Sequence, residues 1–171
     1  MKQHAFFVTL LCAAIFTGLA MTSGPSVAPG KTLPNIVIKR LDGETVNIQD
    51  YGNNGKITVL SFWATWCSPC KRELDAIAEI YPEWQDNYNV ELVAITIDNA
   101  RAMSKVRPIL EQKGWPFEIL SDSNQELQQA LNFQAIPQTF VVDSKGEIVY
   151  EHSGYQPGDE YELEDVIAGL E

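Results

Sequence analysis

The chain is poor in metal ligands, in positive charge and in the glycine-rich motifs that hold phosphate. It has three cysteines and two histidines in 171 residues. Cys12 and His4 fall in an N-terminal run expected to be removed, so the four ligands of a structural zinc site are not at hand. Lysine and arginine number 12 against 23 acidic residues, a formal charge of -11. Such a surface excludes nucleic acid and anionic lipid as natural partners and reads as a device for solubility. No phosphate-binding glycine motif, dinucleotide fingerprint or Ser-His-Asp arrangement is present, which removes the usual nucleotide-dependent and serine-hydrolase chemistries. Internal repeats, low-complexity tracts and interdomain linkers are also missing.

Lys2 precedes the one long uncharged apolar run, Ala5 to Ala20, and small residues follow at Gly18, Ala20, Ser23 and Gly24. This is the pattern of a secretory signal peptide over residues 1–20, with Gly18-Leu19-Ala20 as the cleavage site and a cut as late as Ala28 also compatible. An uncleaved membrane anchor is the competing reading, though the run is shorter than the roughly 20 apolar residues of a spanning helix. A lipoprotein would use Cys12, where the preceding Leu11 is too bulky. Residues 21–32, rich in Ser, Gly, Pro and Thr, form a leader. Residues 33–171 then suffice for one domain, typical domains having about 100 to 150 residues. A monomer is expected.

What the chain does have is Cys67-Ser68-Pro69-Cys70, placed after the β-branched run Ile57 to Phe62 and at the start of a helical pattern. Both thiols therefore sit where a strand turns into a helix. A helix N-terminus and nearby cations favour the thiolate, the reacting form of cysteine, and Lys71 and Arg72 lie one turn on. Cys67 is thus the expected nucleophile, and Cys70, one turn away, the thiol that resolves a mixed disulfide. Pro69 suits a first turn, where a missing N–H has no acceptor to lose. A purely structural disulfide is the alternative, but so small a loop restricts the unfolded chain little.

The remaining pattern alternates. Asn35–Lys39 and Glu44–Ile48 flank Leu41-Asp42-Gly43 as an N-terminal hairpin. Ile57–Trp63 is a buried strand, Ser68–Trp84 a helix that Pro82 should kink or end, and Val90–Ile97 a second buried strand. Ala102–Gln112 reads as a helix despite Pro108, Phe117–Leu120 as a short apolar segment and Ser123–Leu131 as a helix. Gln138–Asp143 and Glu147–Glu151 form a hairpin, and Leu163, Val166, Ile167 and Leu170 mark a last amphipathic helix from Asp159. The order implies an α/β fold, a mixed sheet covered by helices on both faces. Trp84 and Trp115 read as packing, and His152 as a solvent-facing or hydrogen-bonded side chain.

Trp63-Ala64-Thr65-Trp66-Cys67-Ser68-Pro69-Cys70, followed downstream by Ile136-Pro137-Gln138-Thr139-Phe140, resembles the thioredoxin fold, and within it the secreted TlpA, ResA and CcmG branch. The resemblance covers about residues 33 to 170, and residues 98–120 are similar to the insertion that separates this branch from short thioredoxins. It implies that Pro137 adopts a cis peptide bond facing the dithiol, and that the backbone of Ile136 pairs with a bound substrate chain. A cis bond is chemically open to X-Pro alone among common pairs. It also implies that Glu73 influences proton transfer at the thiols, a buried carboxyl there being able to take the proton of Cys70; the competing reading is an exposed helix residue. Ser61 stands where short thioredoxins carry a buried aspartate, and Asp75 where the branch often has proline. Trp63 and Trp66 would floor and flank the dithiol, with core packing the competing role for a strand tryptophan.

The implied activity is that of an extracytoplasmic, periplasmic or otherwise exported, thiol-disulfide oxidoreductase. It would reduce disulfides in exported proteins such as apocytochrome c, take electrons from a membrane protein, and need no bound cofactor or metal. The same site run in reverse makes a disulfide donor or isomerase. A copper-binding module and a thiol peroxidase fit less well: the former uses a longer spacer and an added histidine, the latter a Pro-Thr-Cys pattern missing here.

Overall fold

In the computed structural model, which describes residues 30–170, the N-terminal hairpin pairs β1 (Val37–Arg40) with β2 (Thr45–Asn47). Its turn needs Gly43, at φ +99°, and Asp42 Oδ1 accepts the Glu44 N–H at 3.0 Å. A 3-10 segment, Ile48–Asn53, leads into β3 (Ile57–Trp63), every residue of which is buried. That burial on both faces explains the unbroken β-branched and apolar run. After α1 (Ser68–Tyr88) come β4 (Val90–Thr96), α2 (Val106–Lys113), β5 (Glu118–Ser121) and α3 (Glu126–Leu131). The chain closes with β6 (Gln138–Val142), β7 (Ile148–Ser153) and α4 (Asp159–Ala168).

Among the described residues these strands form one mixed sheet in the order β2-β1-β5-β4-β3-β6-β7. The parallel neighbours are β3 with β4 and β4 with β5, each joined by a helical crossover. All other pairs are antiparallel. Alternation along β3 decides what meets each face. Ser61 and its partner Thr139 on β6 turn to α1, which packs beside α4. Phe62 turns the other way and joins Phe133 and Phe140 in an aromatic cluster with ring centroids 4.6 to 5.9 Å apart. At the β6–β7 turn, Gly146 has φ +86°, and a Cβ there would lie 2.5 Å from the Gly52 carbonyl oxygen. Only glycine fits that approach.

Four expectations need correcting. Helix α1 does not end at Pro82; it runs on to Tyr88 and stops at Asn89, whose left-handed conformation (φ 48°, ψ 42°) turns the chain. Pro82 lies on the exposed side, while Tyr81 and Trp84 on either side of it are buried, and their packing offsets the one missing hydrogen bond. The expected helix over 102–112 is a 3-10 turn, Met103–Lys105, followed by α2, which places Pro108 in the first turn where no N–H is required. Helix α3 begins later than Ser123, because the Asp122 carboxylate accepts the N–H groups of Leu127 (3.2 Å) and Gln128 (2.9 Å) at its first turn. The segment 117–120 is no mere apolar patch: as β5 it is the interior strand between β1 and β4.

Candidate active site

Cys67 is the N-cap of α1, and its Sγ accepts the Cys70 N–H at 3.2 Å. Free N–H groups of a first turn favour negative charge there, so a Cys67 thiolate has a donor already in place. Pro69 follows within that turn. The two cysteines form a disulfide with Cα atoms 5.4 Å apart. They are not equally accessible: Cys67 keeps 4% of its surface and Cys70 none.

The loop entering the helix is clamped from two sides. Asp98, buried just past β4, accepts the Thr65 N–H at 2.7 Å and the Thr65 hydroxyl at 2.9 Å, while the Thr96 hydroxyl donates to it at 2.7 Å. Lys71 Nζ donates to the Thr65 carbonyl at 2.9 Å, which fixes its charge beside the same loop. Arg72 is exposed. Between this clamp and Cys67, Trp66 projects with 68% of its surface exposed. Trp63 is fully buried and meets Trp115 edge-on at 5.1 Å. Of the two tryptophans, then, Trp66 is exposed beside the dithiol and Trp63 is core.

Ile136–Pro137 is a cis peptide. Phe62 pairs with Gln138 across β3 and β6, so one step further along the antiparallel register brings Pro137 opposite Trp63, at the sheet end from which the dithiol loop departs. Ile136 is partly exposed there.

Glu73 is buried one turn beyond Cys70 on the same side of α1. Its Oε1 accepts from the Thr139 hydroxyl at 2.7 Å and its Oε2 from the Ser61 hydroxyl at 3.2 Å. Burial pushes its carboxyl up from the ordinary 4.5 to about 7, against the lowering effect of those two hydroxyls. The reading of Glu73 as an exposed helix residue is thus overturned. Ser61, six residues before Cys67, supports this acid from the strand beneath.

Sequence reasoning missed Asp98 and Thr139, and it treated Asp75 and Trp115 separately. Asp75 accepts from Trp115 Nε1 at 2.9 Å and pairs with Lys113 at 2.5 Å, tying α1 to the segment between α2 and β5. The aspartate that ends the Ile95-Thr96-Ile97 run was the one available sign of Asp98. Among the described residues no group of three or more His, Cys, Asp or Glu side chains is gathered to hold a metal ion.

A family model described as AhpC/TSA matches residues 29–151. The chain belongs to the AhpC/TSA family. Within it, the chain is 33% identical over 149 residues to the thiol-disulfide oxidoreductase ResA of Geobacillus kaustophilus, covering 85% of this chain and 82% of that one. Against ResA of Bacillus subtilis it is 27% identical over 149 residues, with 86% and 80% covered. A thioredoxin-like protein from Porphyromonas gingivalis superposes with a TM-score of 0.72 at 43% identity, over 81% of this chain and 90% of that one. StoA from Bacillus subtilis gives 0.62 at 28% identity, over 77% and 98%. This AhpC/TSA-family protein accordingly has the thioredoxin-like α/β fold and is a thiol-disulfide oxidoreductase of the ResA type.

Proposed function

We propose that the protein works outside the cytoplasm as a reductase of disulfides in exported proteins, apocytochrome c among them. The observation that carries this reading is the division of labour at the dithiol: one slightly accessible, N-capping cysteine and one fully enclosed cysteine with a buried acid a turn away. The reduced Cys67 thiolate attacks a substrate disulfide, forming a Cys67–substrate bond and releasing one substrate thiolate. Cys70 loses its proton to Glu73 and attacks Cys67 Sγ; the Cys67–Cys70 bond forms and the second substrate thiolate leaves. Two electrons pass to the substrate, and the enzyme ends as the disulfide. Trp66 supplies apolar contact for the substrate, and the backbone of Ile136 before Pro137 pairs with its chain.

The export signal over residues 1–20 lies outside the described residues and supports the location from sequence alone. In an oxidising compartment the enzyme needs a continuing supply of electrons, for which a membrane protein is the proposed donor. Equilibrating the purified protein across glutathione and dithiothreitol redox buffers and trapping free thiols, with Cys67→Ser and Cys70→Ser as controls, tests the direction. A potential well below the glutathione couple is expected. A strongly oxidising value would make the protein a disulfide donor or isomerase, and failure to form the Cys67–Cys70 bond would end the redox reading.

A further inference from the structure

A base that takes a proton from Cys70 at each turnover has to give it up again, and Glu73 is enclosed. It borders one small cavity of about 10 Å³, whose lining includes Thr139, Tyr150, His152, Tyr155 and Asp159. That volume is about one water molecule. In its lining, His152 Nε2 lies 3.2 Å from Asp159 Oδ2, and these two side chains retain 30% and 23% of their exposure. The pair therefore touches both the cavity and solvent. Its geometry is held in place: the His152 ring lies parallel to Tyr150, with 2° between the planes, and Asp159 Oδ2 also accepts the Gln156 N–H at 2.7 Å.

We propose that the His152–Asp159 pair is the proton exit of Glu73, linked to it through one water in this cavity. The proposal rests on the reading of Glu73 as the base for Cys70. The proton leaves Cys70 Sγ for the Glu73 carboxylate, passes to the cavity water as that water gives one of its own to the imidazole, and leaves the imidazolium for solvent. Glu73 ends as the carboxylate it began as, and no bond other than those to hydrogen changes.

The other groups facing Glu73 do not offer this route. Ser61 from β3 and Thr139 from β6 are neutral donors to its oxygens. Burial, together with neighbouring acids, raises the Tyr150 phenol, and raises Tyr155 to about 12, where it donates to Glu160 Oε2 at 3.0 Å. Both phenols thus stay protonated. Glu160, which also accepts the Gly158 N–H, and Glu162, which acts on Tyr150, complete the acidic side contributed by α4. Asp159 itself raises Glu73 through its charge. Among the groups lining the cavity, the imidazole alone has one ring nitrogen to accept a proton and a second to release one.

Reaction of the reduced full-length protein with 5,5′-dithiobis(2-nitrobenzoate) isolates the step. The first nitrothiobenzoate released reports attack by Cys67 and the second reports resolution by Cys70; as a good leaving thiolate it needs no proton. With the reduced protein held near pH 5.5, where the Glu73 carboxyl keeps its proton, and then jumped to about pH 8 in dilute buffer with the reagent, the second release waits on loss of that proton, and His152→Gln should slow it by roughly tenfold, less than the hundredfold or more of a directly transferring group. Asp159→Asn should slow it in the same direction. Added imidazole should restore the rate, and in a Glu73→Gln background His152→Gln should have no further effect. Equal slowing in both backgrounds, no slowing, or no rescue by imidazole would overturn the exit while leaving Glu73 as the base. If Glu73→Gln alone leaves the second release and its pH profile untouched, the base assignment fails and the exit with it.

Discussion

Glu73 shows how a single residue can be read from sequence in kind but not in state. The family resemblance placed it near the thiols, yet its burial depends on Thr139, 66 residues away, and on Ser61 in the strand beneath. Hydrogen bonds over such separations leave no local pattern. The carboxyl, ordinarily near 4.5 and here near 7, has a consequence for stability. Between those two values the folded protein holds a proton that the unfolded chain has given up. The contribution is present in full below the unfolded value and is lost as pH rises through the folded one. Relative to Glu73→Gln, the wild-type protein should lose about 3 kcal/mol between pH 4.5 and 8. Urea unfolding of both proteins across that range checks it; a difference that is flat, or that grows with pH, would contradict the assignment.

At the scale of elements, local signals located strands and helices well, and failures came where tertiary packing outweighed a local rule. The β3 run, the two hairpins and α4 were legible because periodicity and turn residues agreed. The end of α1 was set too early because the buried Tyr81 and Trp84 hold the helix together across Pro82. The start of α3 was misplaced because an aspartate outside the helix satisfies its first turn. The link between β4 and the dithiol loop was invisible for the same reason as Glu73: Asp98 and Thr65 are 33 residues apart. Removing that acceptor with Asp98→Ala orphans the Thr65 N–H and leaves the Thr65 and Thr96 hydroxyls short of a partner, at about 1–3 kcal/mol for each group left unsatisfied. A loss of about 3 kcal/mol in denaturant unfolding is expected, and about half of that for Asp98→Asn, which keeps one acceptor oxygen. A loss below about 1 kcal/mol for the alanine variant would mean that the loop holds itself.

The whole molecule joins a strongly acidic body to one large exposed aromatic beside its reactive sulfur. The acidic charge disfavours polyanions; on the proposed function, contact with a substrate falls to apolar and backbone groups around the dithiol. Trp66→Ala should leave stability unchanged, since so little of that side chain is buried. It should lower kcat/KM toward a protein disulfide such as insulin by about tenfold, as loss of an interfacial anchor does, while leaving oxidation by glutathione disulfide nearly untouched. Equal loss with both oxidants would assign Trp66 to the chemistry and not to recognition.

Cys70 has no surface of its own and Cys67 has a little. Among the described residues an outside sulfur can therefore be joined to this protein in only one way, and the order of events is imposed by shape before any thiol potential is considered. A chain lacking Cys70 keeps its captured partner as a stable covalent adduct, whereas in a chain lacking Cys67 the described residues put no thiol within a stranger's reach. Mixed-disulfide trapping of the physiological client in living cells should accordingly work with the first variant and return nothing with the second.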